Sequence, residues 1–262
     1  MKTVIYYFTG TGNTLEAARK IAVDIEECIL IPITQALKNP ESLPVTEKIG
    51  IAFPLYFWGL PEIVTRFAEI VPIEKANYIF AVQTRGGSTG TAFHNLHRIL
   101  KKRGQGLKGS WKITMPGNYV AMYNTPTEKK IKQVKQKMHI EASTIATAVN
   151  QGKTHKDLDI PFLRTIAKPV SNWWLKRVKV RDKFFHLDTN CNGCGACKKI
   201  CPVQNISLTN NKPEWKHNCQ QCFGCVNLCP QKSIQYKSGT AKRSRYINHD
   251  ITIQDLKQQS GN

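Results

Sequence analysis

The sequence lacks any apolar run of about 20 residues, the length that a membrane-spanning helix needs. Residues 1–10 also lack the charged start, the long apolar stretch and the small-residue cleavage site of a signal peptide. We therefore expect a cytosolic protein with no membrane span.

Acidic residues are scarce, since 18 Asp and Glu face 38 Lys and Arg and the formal net charge is +20. A basic surface attracts acidic proteins, nucleic acid or anionic lipid, and composition alone does not distinguish these partners. Bound cofactors would subtract charge, but we expect the loaded protein to remain basic.

Cysteine is almost absent outside one segment, because eight of the nine cysteines lie between Cys191 and Cys229. In a cytosolic protein such a group indicates metal binding rather than disulfide bonds. The isolated Cys28 lies near the second predicted strand, where we expect a small buried apolar residue rather than a nucleophile.

The grouped cysteines form one pattern that occurs twice, 28 residues apart: three cysteines at intervals of three, a fourth four residues later, and a proline. Sulfur ligands favour iron–sulfur clusters or zinc. Structural zinc is the alternative, but zinc sites usually join two short pairs by a longer spacer. In the 4Fe-4S pattern the fourth cysteine binds the other cluster, which predicts two ligand sets. These are Cys191, Cys194, Cys197 and Cys229 for one cluster, and Cys219, Cys222, Cys225 and Cys201 for the other.

These motifs resemble the bacterial two-cluster ferredoxins from Asp188 to about Tyr236. Short apolar segments at 206–208 and 234–236 follow the two motifs, as hairpin strands do in that family. The resemblance implies a small α+β domain and low-potential transfer of single electrons.

A loop rich in threonine and glycine follows the first predicted strand and precedes a helix. Hydroxyl groups and free backbone amides at a helix N-terminus suit a phosphate, although an ordinary strand-to-helix turn is the alternative. A dinucleotide fingerprint fails because Leu15 stands at its third glycine position, and no Gly-Lys-Ser/Thr exists for an ATP loop. The loop consists of Thr9, Gly10, Thr11, Gly12, Asn13 and Thr14.

This loop resembles the FMN phosphate loop of flavodoxins, and strands alternate with helices over residues 1–152. The resemblance implies a doubly wound parallel α/β sheet of order 2-1-3-4-5, with the flavin ring between loops at the carboxyl ends of its strands. Instead of contacting the flavin ring, Phe57 could pack as a hydrophobic plug between its loop and helix, and Arg85 could be exposed to solvent. The predicted ring contacts are Tyr56, Phe57, Trp58 and Gly59, then Thr84, Arg85, Gly86 and Gly87, and finally Asn118 and Tyr119.

We predict four parts: the flavodoxin-like domain at 1–152, a basic connecting segment at 153–185, a ferredoxin domain at 186–240 and a tail at 241–262. Trp173 and Trp174 in the connecting segment favour packing between the domains over contact with a membrane. The polar tail has a weak apolar pattern that does not predict where it lies.

The two predicted domains, in this order, resemble the EFR1 family of ferredoxins. They imply electron transfer between two 4Fe-4S clusters and FMN, and on to an unidentified redox protein with an acidic docking surface. A flavin-dependent reductase of a small organic substrate, fed by the clusters, is the alternative function. A redox-sensing regulator on nucleic acid rests on charge alone, and we expect no nucleic-acid partner.

Overall fold

The computed structural model describes residues 2–87, 90–157, 169–171 and 173–260. Its first part is a parallel sheet of six strands in the order β2-β1-β3-β4-β5-β6, flanked by five α-helices. The strands are β1 (Thr3–Tyr7), β2 (Cys28–Pro32), β3 (Lys48–Pro54), β4 (Tyr78–Arg85), β5 (Gly109–Thr114) and β6 (His155–Lys156). The helices are α1 (Asn13–Val23), α2 (Ile33–Lys38), α3 (Glu62–Ala68), α4 (Ala92–Lys102) and α5 (Glu128–Asn150), with a 3-10 turn at Pro40–Ser42.

The sheet confirms the predicted order 2-1-3-4-5 and adds one short strand at its edge. Gly109 and Ser110 of β5 pair in parallel with the two residues of β6. The ring of His155 stacks on Trp111 with centroids 5.4 Å apart. A strand of two residues carries no periodic pattern, so the sequence did not predict it.

Apolar residues cover both faces of the sheet, as parallel strands between two helical layers require. One face packs on α2, α3 and α4 around Phe53 and Phe67, and the other packs on α1 and α5 around Phe80 and Ile145. The carboxyl ends of the parallel strands lie at one end of the sheet, where the loops after β1, β3, β4 and β5 meet. We call this end the carboxyl edge of the sheet.

The cysteine-rich part is a small module with its own apolar core around Phe185, Phe223 and Tyr236. The predicted strands at 206–208 and 234–236 are confirmed, but they belong to two separate pairs. A 3-10 helix at Lys179–Phe184 leads into the module. Its elements are β7 (Phe185–Leu187), α6 (Ala196–Ile200), β8 (Ile206–Thr209), β9 (Lys212–Trp215), α7 (Gly224–Asn227) and β10 (Ile234–Tyr236).

The connecting segment packs against the first domain through one of its two tryptophans. Part of the segment, residues 158–168 and 172, lies outside the described residues, whereas residues 173–177 are helical. Trp174 stacks on Phe57 with ring centroids 5.5 Å apart, and Trp173 is half-exposed beneath the guanidinium of Arg177. No helix in the described part of the chain has both the length and the apolarity to cross a membrane.

The tail returns to the first domain and ends in helix α8 (Ile253–Ser260). Gln259 is fully buried and forms two hydrogen bonds with the backbone of Thr9: the Thr9 N–H donates to Oε1 at 2.8 Å, and Nε2 donates to the Thr9 carbonyl at 2.9 Å. The hydroxyl of Thr34 donates to the carbonyl of Gln259. The tail is therefore an integrated part of the fold.

Gln259 and its neighbour Gln258 provide a matched test of this attachment. We expect Gln259→Ala to lower the free energy of unfolding by about 2 kcal/mol, because it leaves two buried backbone groups of Thr9 unpaired. The exposed Gln258, changed to Ala, should have an effect within about 0.5 kcal/mol. Urea unfolding under argon, followed by tryptophan fluorescence, measures both, and equal effects would contradict the attachment.

Candidate functional site

The structure arranges the eight grouped cysteines around two separate cavities. The first cavity, with about 320 Å³ of empty space, is lined by Cys191, Cys194, Cys197 and Cys229. The second, with about 370 Å³, is lined by Cys201, Cys219, Cys222 and Cys225. Each cavity therefore takes three cysteines from one motif and the last cysteine of the other, which are the two sets that the sequence predicts. We call them the first and the second cysteine set.

The backbone of the two motifs explains how three cysteines converge in so short a loop. Gly193 and Gly195 have φ angles of 73° and 72°, in the left-handed region that suits glycine. At the equivalent positions of the second motif, Gln221 and Phe223 have φ angles of 49° and 56°. A left-handed residue that is not glycine costs about 1–2 kcal/mol. The Phe223 ring is buried among Tyr119, Phe185 and Tyr236, and this packing offsets the strain.

Burial makes the free thiolate unfavourable in the second set. It raises the pKa of Cys222 to about 12, and it also raises the pKa of Cys201, Cys219 and Cys225. A buried anion needs a positive charge beside it, and iron ions supply one. The chemistry of this set therefore fits a cationic group bound by thiolates.

The first set is more open to solvent, and one of its thiols has a lowered pKa. Cys194 is exposed. Burial raises the pKa of Cys197 to about 11. For Cys229, burial acts in the same direction, but hydrogen bonds from the Ser233 hydroxyl and nearby backbone amides outweigh it, so that the pKa of Cys229 falls below its usual value.

The cysteine spacing suits a cluster better than a single ion. Among the described residues, no group of three or more His, Cys, Asp or Glu side chains lies close enough together to hold one metal ion. A zinc ion needs four ligands within about 2.3 Å of one point, whereas a cubane separates its four thiolates. The pattern of three cysteines at one interval and a fourth before a proline therefore fits 4Fe-4S clusters.

The threonine loop lies at the carboxyl edge of the sheet, together with two of its predicted partners. The hydroxyls of Thr14 and Thr84 are 2.7 Å apart, and Nδ2 of Asn118 donates to the hydroxyl of Thr11 at 2.6 Å. Gly12, with a φ of 100°, caps α1. The first-turn amides of α1 have no intrahelical acceptor, so this part of the loop retains donors suited to an anion.

The cysteine-rich module and the tail cover this loop. A Cβ added to Gly10 would lie 2.7 Å from Cβ of Cys222, and one added to Gly12 would lie 2.9 Å from Cβ of Ile251. The hydroxyl of the buried Tyr246 donates to Oδ1 of Asn13 at 2.7 Å. All six loop residues are buried as a result.

The predicted ring contacts engage side chains of the chain itself. Tyr56 lies beside the second cysteine set, whose thiolates add to burial in raising its pKa. Phe57 stacks on Trp174 at 5.5 Å, and Tyr119 meets Phe223 edge to face at 5.1 Å. A Cβ on Gly59 would press against Leu175 at 2.8 Å.

The remaining ring candidates are more open to solvent or engaged with the backbone. Trp58 is 45% exposed, and its carbonyl accepts from the N–H of Thr91. Arg85 is partly buried at the end of β4, and Gly86 and Gly87 are exposed. A direct stack between Phe57 and Trp174 leaves no space for a third ring between them. The residues present therefore do not fit a flavin ring in this arrangement, although the threonine loop keeps donors for an anion.

Sequence reasoning missed the residue that positions the second motif. Asp182, fully buried, accepts from Nδ2 of Asn205 and from the N–H of His217, both at 2.9 Å, while Oδ1 of Asn205 accepts from the N–H of Asn218. These bonds hold the chain directly before Cys219. Asp182 is one acid within a basic stretch, which is too weak a signal to identify it.

Fold and cysteine sites together define a redox protein, a flavodoxin-like α/β domain followed by an iron–sulfur domain. Residues 190–245 match the family model described as a 4Fe-4S dicluster domain. No curated protein matches the chain.

Solved flavodoxins resemble the first part of the chain weakly. A flavodoxin from the domain Archaea is 17% identical, with 56% of this chain and 99% of that chain covered and a TM-score of 0.35. The two-electron reduced flavodoxin of Megasphaera elsdenii is 15% identical, with 54% and 98% covered and a TM-score of 0.36. An NAD(P)H:quinone oxidoreductase from Methanothermobacter marburgensis is 10% identical, with 60% and 99% covered and a TM-score of 0.36. The strand order 2-1-3-4-5 of the sheet is by itself that of the flavodoxin-like fold.

Single serine substitutions test the exchange of the fourth cysteines between the motifs. We expect Cys194→Ser and Cys229→Ser to change one and the same EPR signal of the reduced protein, and Cys201→Ser and Cys222→Ser to change the other, because each pair lines one cavity. Each substitution should lower the iron content from about eight toward about four per chain. If Cys201→Ser and Cys194→Ser changed the same EPR signal, each motif would instead supply all four ligands of its own cluster.

Proposed function

We propose that this protein is a one-electron carrier that binds two 4Fe-4S clusters and exchanges electrons with a redox protein. The observation that carries this proposal is the pair of separate cavities, each lined by four cysteines drawn from both motifs. When bound, each cluster supplies a reversible one-electron reduction. The proposed ligands are the first and the second cysteine set.

The two sets differ in their access to a partner. The first set includes the exposed Cys194, while the second lies against Gly10 and Tyr56 of the first domain. Electron transfer between proteins requires close approach to the reduced group, so we assign the exchange with a partner to the side of Cys194. The first domain covers one side of the second set and holds its loop in place.

Charge around the first set indicates the chemistry of the partner. Four exposed lysines lie one or two positions in sequence from residues that line the first cavity. Because opposite charges steer encounter and orientation, we propose a redox protein with an acidic docking surface. The four are Lys198, Lys199, Lys212 and Lys232.

FMN is the finer prediction from the sequence, and it stays a prediction. The threonine loop favours it, while the contacts of Phe57 and Tyr119 oppose it. We therefore assign electron transfer to the clusters alone. Membership of the EFR1 family is likewise a proposal, supported by the order of a flavodoxin-like sheet and a 4Fe-4S domain. The reductase alternative requires an open pocket above a flavin ring, and no observation on the described residues favours it.

Anaerobic purification tests the function directly. We expect about eight iron and about eight sulfide per chain, and an EPR spectrum of two interacting clusters after reduction with dithionite. Cys28→Ser is the matched control, because Cys28 lies on β2, outside both cavities, and should leave the spectrum unchanged. Zinc in place of iron, or a protein that cannot be reduced, would contradict the proposal.

Reversal of two lysine charges tests the docking surface with small oxidants in place of the unidentified partner. We expect Lys212→Glu with Lys232→Glu to slow oxidation by anionic ferricyanide roughly tenfold at low ionic strength, and to spare or accelerate oxidation by cationic hexaammineruthenium(III). Stopped-flow absorbance of the reduced protein measures both rates.

The control variant is Lys101→Glu with Lys102→Glu. These two lysines end α4, at the end of the sheet away from the carboxyl ends of its strands. It makes the same change in net charge, and we expect rates close to those of the unaltered protein. Equal effects of the two double variants would show that only the total charge matters, and would contradict the proposed docking surface.

A further inference from the structure

We propose that the flavodoxin-like domain caps the second cysteine set in place of holding a flavin: the chain fills its own cofactor cleft. This inference rests on the proposed function for the identity of the group that is capped. It concerns a different observation, namely the contacts at the carboxyl edge of the sheet, where a flavodoxin-like domain holds its ligand.

The threonine loop forms the floor of this contact. No atom separates Gly10 from the second motif, since a Cβ on Gly10 would lie 2.7 Å from both Cβ of Cys222 and the hydroxyl oxygen of Tyr56. From the opposite side, a Cβ on Gly224 would lie 2.8 Å from the carbonyl oxygen of Gly10. Two glycines in contact allow the backbones of the two domains to approach this closely.

Aromatic side chains form the walls. Three rings well placed to enclose a flavin lie against partners from later in the chain: Tyr56 beside the second cysteine set, Phe57 on Trp174, and Tyr119 on Phe223. A planar ring inserted into either of the two ring pairs would need a separation of about two stacking distances, beyond the observed 5.1–5.5 Å. The cleft is therefore filled rather than open.

Polar contacts hold the second motif from two sides. On one side, the carboxylate of Glu62 accepts from Nε2 of Gln220 at 3.2 Å and pairs with the ammonium of Lys179 at 3.1 Å. On the other side, Nδ2 of Asn227 donates to the carbonyl of Asn118 at 3.0 Å. These bonds join the cysteine-rich module to the start of α3 and to the loop after β5, so the contact has a defined register.

The tail closes the remaining side of the threonine loop. Oδ1 of Asn13 accepts from the Tyr246 hydroxyl, and the carboxylate of the buried Glu16 accepts from Nδ2 of Asn248 at 2.7 Å. Ile251 lies on Gly12. The chain thus surrounds the loop with its own side chains, and the second cysteine set lies beneath the first domain.

Native mass spectrometry of the full, anaerobically purified protein tests the filled cleft. We expect the mass of the chain with two clusters and no flavin, both as purified and after incubation with excess FMN. A mass that includes FMN together with both clusters would overturn the inference. Loss of the clusters would contradict the proposed function, while the presence or absence of FMN in the same spectrum would still decide whether the cleft is filled.

Two glycine substitutions test the contact itself. Gly10→Ala places a methyl group against Cys222, whereas Gly86→Ala meets its nearest atoms at 3.8 Å, an ordinary contact, in a neighbouring loop. Because overpacking should loosen the contact, we expect the second cluster of Gly10→Ala to bleach in air about tenfold faster than that of the unaltered protein. Gly86→Ala should bleach at the unaltered rate.

Absorbance and EPR after timed exposure to air measure the loss of each cluster. Equal bleaching in Gly10→Ala and the unaltered protein would contradict the cap. If Gly10→Ala fails to fold, as far-UV circular dichroism would reveal, the FMN incubation of the unaltered protein decides the question without it.

Discussion

Buried sulfur needs positive charge beside it, and the rest of this structure depends on that constraint. The thiol of Cys222, with a pKa of about 12, stays protonated at neutral pH unless a cation binds it. Tight left-handed turns bring three such cysteines into each loop, and the fourth comes from the other motif. Because each cavity takes cysteines from both motifs, a bound cluster joins the two halves of the cysteine-rich module. Cluster binding is therefore coupled to folding.

The first domain contributes the carboxyl ends of its strands to the contact with the second motif. Parallel strands bring four loops to one place, and in this chain a cysteine loop lies where those loops meet. The same geometry that makes such an edge a ligand site makes it a suitable surface for a second domain. Gly10 and Gly224 permit the approach, and Glu62 and Asn118 fix its register.

Much of this architecture could be predicted from local sequence. The cysteine spacing predicts both ligand sets because each loop is short. Gly193 and Gly195 indicate the turns of the first loop, whereas Gln221 and Phe223 at the same positions of the second loop do not. The five main strands alternate with helices, and their order follows from that pattern. Long-range partners could not be predicted: Gln259 binds a residue 250 positions away, and Trp174 stacks on Phe57 without any periodic signal. For the aromatic residues at 56–58 the sequence predicts contacts with a flavin ring, and these stay a prediction.

The most direct measurement is an iron anomalous-difference map from a crystal grown without oxygen. We expect two compact groups of iron density, one among Cys191, Cys194, Cys197 and Cys229 and one among Cys201, Cys219, Cys222 and Cys225, with the rings of Phe57 and Trp174 in contact. Single metal peaks in place of the two groups, or flavin density between Phe57 and Trp174, would contradict this expectation.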